Sequence, residues 1–519
     1  MLWWLGGKSA KQGFWWGYLT GVVINTGGYY WITGLIITFG HLPVYIAVLG
    51  MVLHSLLVGL IWGLWGLIVC ALSPRWGRAL IVPLAMMGAE YAMPRIFEAH
   101  MGDSQFPAVI VMQIADLFGI TAVTGLIYLV NASIVDALER RFKSLTISLL
   151  LVGLALGYGS MRMEQIDEQM KAAPKLKVGM VEGDVGIFQS EPRQQISDHL
   201  LIQQRLSAEL AAQGAELIVW PESAVRTRGG SASGERKSFY VSTIPLVDRY
   251  QEDRLQKTPH KDRITPLRGF QVPLLFGGHG VEENHRADPD SDVTQPRNLH
   301  YNRAWLVNAN GEVLGYYDKV FRLVFGEYIP FGDMFPVFYK WIPSAARIEP
   351  GDGPKSLELP REGAPAARLG ILNCYEGIIP SYTLKVLETQ PDVLINLTND
   401  DWFQSVAERY LHFVLALPRS IESRRMYLRA TLTGVSAVVD ANGRVVRQTG
   451  LNSKLKGPEG KGAETILYDV PLMRSWTLYS EIGDLLPRLS ILFLIFAELM
   501  RRGERAREEW LEESARGQV

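Results

Sequence analysis

The sequence predicts an α/β domain of two sheets covered by helices on both outer faces, set between hydrophobic helical stretches. The composition is split: in the 519-residue chain the N-terminal part is dominated by Leu, Ile, Val, Gly, Trp and Tyr, whereas Lys175 to Pro471 carries the charge density of a water-soluble domain. Within that polar part, strand-like apolar runs alternate with an amphipathic helical pattern. Several of those runs stop abruptly at a polar side chain, among them Glu222, Lys319 and Cys374.

The hydrophobic stretches come first in the chain. Candidate membrane helices run from Gly13 to Phe39, Pro43 to Leu72, Ala79 to Phe97, Val109 to Val130 and Ser144 to Gly159, with a sixth from Leu485 to Met500. A bilayer core takes about 20 apolar residues of helix, so the first, second and fourth are long enough and the last two are short. Lys8 and Lys11, Arg75 and Arg78, Arg140, Arg141 and Lys143, and Arg501, Arg502, Arg505 and Arg507 fall on one side if these spans alternate. By the excess of basic residues in cytoplasmic loops, that side is cytoplasmic and the polar domain lies outside it. The expected organisation is a helical membrane domain over residues 1–165, a catalytic domain over 174–473, a last span over 484–502 and a cytoplasmic tail over 503–519. The first apolar run is too long for a cleavable signal and no small-residue cleavage site follows it, so it is expected to remain as an anchor. Glu90, inside the third span, is expected to face protein, a lipid headgroup or the interface.

In the polar domain, KLKVGMVEGD reads as a strand, DHLLIQQRLSAELAAQGA as an amphipathic helix and AELIVWPES as a buried strand ending at Glu222. Further strands are expected at VPLLFGGHG, ARLGILNC and DVLINLTND. Hairpins are expected over YNRAWLVNANGEVLGYYD and GVSAVVDANGRVVRQ, each turning at Asn-Gly. LHFVLALPRSIESRRMYL is expected to be a helix with Pro418 in its path. The polar stretches from Glu222 to Gln271 and from Glu282 to Gln295 read as solvated loops that could also serve as lids.

Several function classes are excluded or disfavoured. A net charge of -1 without a Lys/Arg block interleaved with aromatics speaks against nucleic acid. Two cysteines, Cys70 in an apolar span and Cys374 in the polar domain, cannot build a disulfide framework. The nine histidines include no HExxH pair, so no metal is expected, and no cofactor either.

Three residues carry the chemistry. Cys374 closes the run RLGILNC at a polar turn, a place that presents a nucleophile and backbone N–H groups to a developing oxyanion; it could equally be a small core residue. A thiol needs a base or a cation nearby to attack at neutral pH. Glu222, at the end of an apolar strand, is suited to be that base, the alternative being a helix cap or surface carboxylate. Lys319, in an aromatic stretch, could stabilise an oxyanion; the alternative is an exposed lysine after a hairpin.

IVWPES, KVFRLVFGE from Lys319 to Glu327 and NCYE, in that order, resemble the Glu-Lys-Cys triad of the nitrilase superfamily. With FGEYIP, LTNDDWF and GFWWGYLTGVVINTGGYYWI, the chain is most similar to the apolipoprotein N-acyltransferase family. The resemblance implies a nitrilase-like four-layer αββα sandwich, flanked by a multi-span helical membrane domain. It implies Cys374 as nucleophile, Glu222 as general base and Lys319 as oxyanion stabiliser, with Glu327, Tyr375 and Glu376 in support, Glu376 at the turn. It further implies transfer of an acyl chain from a phospholipid, through a thioester, to a diacylglyceryl lipoprotein at the bacterial inner membrane, by a monomer. Two other readings are a membrane-tethered amidase acting on a small amide or nitrile, and a non-catalytic membrane partner for a glycolipid synthase.

The sequence departs from the family pattern in places. It is expected to lack two N-terminal spans that relatives carry, which leaves the orientation unchanged. GIFQSEPRQ, around Phe188, stands where a tryptophan is usual, and NDDWFQ, with Asp401 and Gln404, stands for NDAWFG. ATLTG, with Thr433, replaces an Asn-Asn-Gly run, and the stretch around Phe106 and Pro107 is shortened. These changes bear on lipid or acceptor binding rather than on the chemistry.

Overall fold

The computed structural model describes residues 1–38, 40–183, 192–225, 267, 269–282, 299–341, 347–403, 405–450 and 462–516. Two compact units result: one is Met1–Ile37, Leu42–Glu164 and Thr477–Val519, the other Thr38–His41 with Gln165–Trp476.

The first unit is helical. Among the described residues, three helices are long and apolar enough to cross a membrane: Val44–Trp76, Ile120–Leu138 and Lys143–Ala172. The other expected spans differ, each for a local reason. The first is two helices, Ala10–Gly28 and Ile32–Thr38, parted after Gly27 and Gly28, which weaken a helix end. The third, Arg78–Ala92, stops one residue short of Met93, which precedes Pro94 and so leaves the helical region. Its 15 residues reach only about 22 Å. The fourth does not run from Val109 to Val130. Short helical turns at Val109–Met112 and Ala115–Phe118 end at Gly119, whose φ of 73° starts a new helix at Ile120. The last helix, Leu485–Arg516, continues beyond its apolar part into charged sequence.

Small residues hold the first helix pair together. Gly13, Gly17 and Gly21 line the buried face of Ala10–Gly28, and a Cβ on Gly17 would lie 2.1 Å from the Trp62 carbonyl oxygen. Backbones approach this closely only where side chains are absent, the packing mode favoured when helices gain nothing from leaving water. Glu90 is buried, its carboxylate accepting from the Met101 N–H at 2.8 Å and the Thr124 hydroxyl at 3.1 Å. It is a packing group here.

The second unit is the two-sheet α/β domain. Its strands are β1 Lys175–Glu182, β2 Leu217–Val219, β3 Leu274–Glu282, β4 Leu299–Val307, β5 Val313–Asp318, β6 Ser356–Arg361, β7 Ala364–Asn373, β8 Val393–Thr398, β9 Met426–Thr431, β10 Ala437–Val439, β11 Val445–Gln448 and β12 Glu464–Pro471. One sheet has the order β12-β1-β2-β3-β4-β5 and the other β11-β10-β9-β8-β7-β6. In each, three central strands are parallel (β1, β2, β3 and β7, β8, β9) and the flanking strands antiparallel. The sheets meet through β1 against β9 and β5 against β6. Helix Pro192–Ala212 covers the first sheet, and helices Pro380–Glu388 and Pro418–Ser423 cover the second. The layers are therefore helix, sheet, sheet, helix.

The parallel central strands read as continuous apolar runs because both of their faces are covered: β8 and β9 are buried at every position. Under the first helix layer, Trp220 is fully buried and its Nε1–H donates to the Ser207 hydroxyl at 2.8 Å. Both expected hairpins form, β4 with β5 and β10 with β11. The helix expected to reach Leu428 ends earlier. Pro418 starts a second short helix after Val406–Ala416, Arg424 turns left-handed at φ 49°, and MYLRAT becomes β9. Most of the two long polar stretches, and with them Phe188 and Gln404, lies outside the described residues.

Candidate active site

The carboxyl ends of β2, β5 and β7 lead directly into the three chemically distinctive residues. β2 runs through Trp220 and Pro221 into Glu222, β5 ends one residue before Lys319, and β7 ends one residue before Cys374. Glu222 can sit against β3 because position 277 is glycine, where a Cβ would lie 2.5 Å from the Glu222 Cα. Cys374 leaves its strand with φ 52°, the left-handed region that non-glycine residues rarely adopt. Such strain at a strand end marks a candidate functional residue.

The structure brings these side chains together in a buried cluster. Lys319 Nζ lies 2.8 Å from Glu327 Oε2 and 3.5 Å from Glu222 Oε1, with Lys319 only 1% exposed. The exposed-lysine alternative is thereby excluded. The Cys374 thiol and the Glu222 carboxylate bear on each other's proton affinity within this cluster. Glu327 also accepts the Leu323 N–H at 2.8 Å, which closes the short loop that follows Lys319.

Burial dominates the electrostatics. It raises the Glu222 carboxyl above its ordinary range, opposed by the Lys319 charge and reinforced by Glu327. It also pushes the Cys374 thiol up, and the nearby Glu222 charge adds to that. Lys319 stays protonated despite burial because Glu327 and Glu222 flank it. The resting arrangement is thus a neutral thiol beside a carboxylate of enhanced basicity, with one ammonium available for a developing negative charge.

Glu376 ties two of the strand ends together. Its Oε1 accepts the N–H groups of Val320 at 2.7 Å and Phe321 at 2.9 Å, just after Lys319, and its Oε2 accepts the Asn373 N–H and the Tyr317 hydroxyl, both at 2.7 Å. Burial nevertheless pushes its carboxyl up to about 7. Tyr375 lies half-buried on the same turn.

The sequence profile of the carbon-nitrogen hydrolase family matches residues 184–456, more than half of the chain. The chain belongs to the carbon-nitrogen hydrolase family. Residues 1–133 match the apolipoprotein N-acyltransferase N-terminal domain, so the hydrolase domain follows a second region of known type. Among curated proteins, an apolipoprotein N-acyltransferase of Bdellovibrio bacteriovorus is 27% identical over 87% of this chain and 80% of its own length. One of Geobacter metallireducens is 28% identical over 86% and 80%. Among solved structures, an amidase from Nesterenkonia sp. AN1 aligns at 17% identity with a TM-score of 0.36, covering 58% of this chain and 91% of that one.

Sequence reasoning missed several residues of this candidate site. Asn302, on β4, donates from Nδ2 to Glu222 Oε1 at 2.6 Å and to Glu327 Oε1 at 2.7 Å, while its Oδ1 accepts from Asn373 Nδ2 at 3.0 Å. Behind Cys374, Asn396 donates to the Cys374 carbonyl at 3.1 Å and accepts from Arg429 at 3.0 Å, and Arg429 donates to Asp400 at 2.6 Å. The signal was present in the strands themselves: an Asn in VLINLT and an Arg in MYLRAT interrupt runs that are otherwise wholly apolar and buried. Asp401 and Thr433, two of the departures noted above, are buried nearby, Thr433 accepting at its carbonyl from the Thr431 hydroxyl at 2.6 Å.

Proposed function

We propose that this protein is a thiol acyltransferase that N-acylates lipoproteins at the bacterial inner membrane. One observation carries the reading: Cys374, Glu222 and Lys319 share a buried cluster in a hydrolase-family domain that follows the N-terminal region of apolipoprotein N-acyltransferases. Glu222 takes the thiol proton, and the sulfur attacks the ester carbonyl of a phospholipid acyl chain. Lys319, with backbone N–H groups, balances the tetrahedral oxyanion. Collapse breaks the C–O bond, Glu222 returns its proton to the departing oxygen, and a lysophospholipid leaves with a thioester remaining on Cys374. The α-amino group of an N-terminal diacylglyceryl-cysteine then attacks that thioester and releases the thiol, Glu222 again moving the proton. Glu327 keeps Lys319 protonated and in place.

Covalent catalysis suits two bulky, membrane-anchored substrates, because they occupy the site in turn. A lipid donor is supported by the segment after Lys319, where Phe325, Phe331, Met334 and Phe335 are each about half exposed or more, an apolar surface unusual outside an interaction site. The distribution of basic residues along the chain supports a catalytic domain outside the cytoplasm, and the protein is taken to act as a monomer.

The test is incubation of the purified protein with acyl-labelled phospholipid, alone and then with a diacylglyceryl peptide. Label captured as a hydroxylamine-labile adduct on Cys374 and then passed to the peptide amine is expected, with no capture by Cys374→Ala. Turnover of a small amide to free acid without label capture would instead make water the acceptor and the protein an amidase.

A further inference from the structure

We infer that Thr398 is a further catalytic residue, its hydroxyl donating a hydrogen bond to the Cys374 sulfur as the thiol is deprotonated; this rests on the reading of Cys374 as the nucleophile. The placement follows from strand register. In the parallel pairing of β7 with β8, Asn373 stands opposite Leu397, so the next residues, Cys374 just past the end of β7 and Thr398 at the end of β8, lie side by side. Thr398 is fully buried, and its hydroxyl is among the groups that lower the proton affinity of the Cys374 thiol. The same hydroxyl lies 3.4 Å from Asp400 Oδ1, a long hydrogen bond.

One hydroxyl proton therefore has two acceptors within reach. While Cys374 is a neutral thiol, a weak acceptor, the ionised Asp400 is the better partner. Asp400 is fully buried yet held down at about 2, because Arg429 and His412 outweigh its desolvation. Once Glu222 removes the thiol proton, the sulfur carries the charge and becomes the stronger acceptor. The S–H bond breaks, its proton goes to the Glu222 carboxylate, and its electron pair stays on sulfur for attack on the ester carbon. The Thr398 O–H bond stays intact throughout, and only its hydrogen bond moves.

Asp400 loses little by that exchange. His412 Nδ1 lies 2.7 Å from Asp400 Oδ1, and Arg429 donates to Oδ2 at 2.6 Å, so both oxygens keep a partner. Burial and the neighbouring Arg429 charge lower the His412 proton affinity, and a ring that carries a proton on Nδ1 donates it to Asp400. Arg429 also grips Asn396, which holds the Cys374 carbonyl. The same network thus holds the Thr398 hydroxyl beside Cys374 through Asp400, and secures the strained Cys374 backbone through Asn396. Asp400, His412, Arg429 and Asn396 are positioning residues.

The experiment uses full-length protein in detergent with Cys70 replaced by Ala, so that Cys374 is the sole thiol. Thr398→Val and Thr398→Ala remove the hydroxyl, and Thr398→Ser keeps it. Two quantities are measured: iodoacetamide alkylation of Cys374 from pH 6 to 10, and single-turnover thioester formation from labelled phospholipid. Because the thiol also faces Glu222, Lys319, Asp400, Arg429 and Tyr427, each profile is compared with that of the parent protein. The Val and Ala variants are expected to shift the alkylation profile upward by about one pH unit and to slow acylation roughly tenfold or more, the scale of one lost hydrogen bond to a charged atom. The Ser variant should stay within about threefold of the parent. Parental profiles and rates in either folded, hydroxyl-free variant would overturn the proposal. If no phospholipid thioester forms on the parent protein, the transferase reading fails, while the alkylation profiles still decide the role of Thr398.

Discussion

Replacing Asn302 with alanine tests the electrostatics of the site at a residue that carries no charge. Its amide supplies hydrogen bonds of 2.6 and 2.7 Å to Glu222 and Glu327, and its removal leaves Lys319 as the cation shared between them. A hydrogen bond to a charged group contributes about 1.5–3 kcal/mol, so the two together bracket about 3–6 kcal/mol, shared between folding stability and catalysis. The catalytic share has a defined direction. The Asn302 hydrogen bond favours ionised Glu222, so without it the carboxyl binds its proton more tightly and is less often free to act as base. Single-turnover acylation by Asn302→Ala, followed from pH 5 to 9, should show the acid limb displaced upward by about one unit and a rate at pH 7 lower by roughly 10- to 100-fold. A folded variant with an unmoved acid limb and a rate within threefold of the parent would refute this account of Glu222 as a tuned base.

Three further outcomes are expected. Glu376 is raised in the folded protein to about 7 from an ordinary carboxyl value, so the folded state holds an extra proton between roughly pH 4.5 and 7. Its contribution to stability is complete below that window and falls as pH rises through it, by about 3 kcal/mol, and the melting temperature of Glu376→Gln should lack this decline. Gly17→Leu would drive a side chain into the Trp62 carbonyl, so loss of monodisperse protein in detergent is expected, whereas a substitution at Gly27, where an added Cβ meets nothing within 4 Å, should be tolerated. Replacing Phe325, Phe331, Met334 and Phe335 together by Ser should raise the apparent KM for vesicle-borne phospholipid several-fold while leaving alkylation of Cys374 unchanged. Equal effects on both would place these residues in the fold rather than on the lipid.

Much of the molecule was legible in order along the chain. The alternation of strand and helix patterns, the Asn-Gly hairpins and the apolar runs ending at Glu222, Lys319 and Cys374 are local signals, set by propensity and side-chain period. Where local signals conflicted, reading failed. Met426, Tyr427 and Leu428 close a helical pattern, but a left-handed Arg424 and the pairing of β9 with β8 and β10 make them the start of a strand. The apolar stretch from Val109 satisfied a length criterion, while a single glycine at positive φ decided where its helix begins.

By itself, then, the sequence determined the split between apolar helices and a polar α/β domain, and the residue types able to perform thiol chemistry, because hydrophobic period and strand-end chemistry are properties of neighbouring residues. Only the tertiary structure decided that Asn302, from one strand, bridges carboxylates from two other segments, and that Thr398, Asp400 and Arg429 surround the back of Cys374. Those contacts arise where strands distant in sequence become neighbours in a sheet or across two sheets. There, burial removes water as a partner and leaves each polar atom dependent on the groups that the fold supplies.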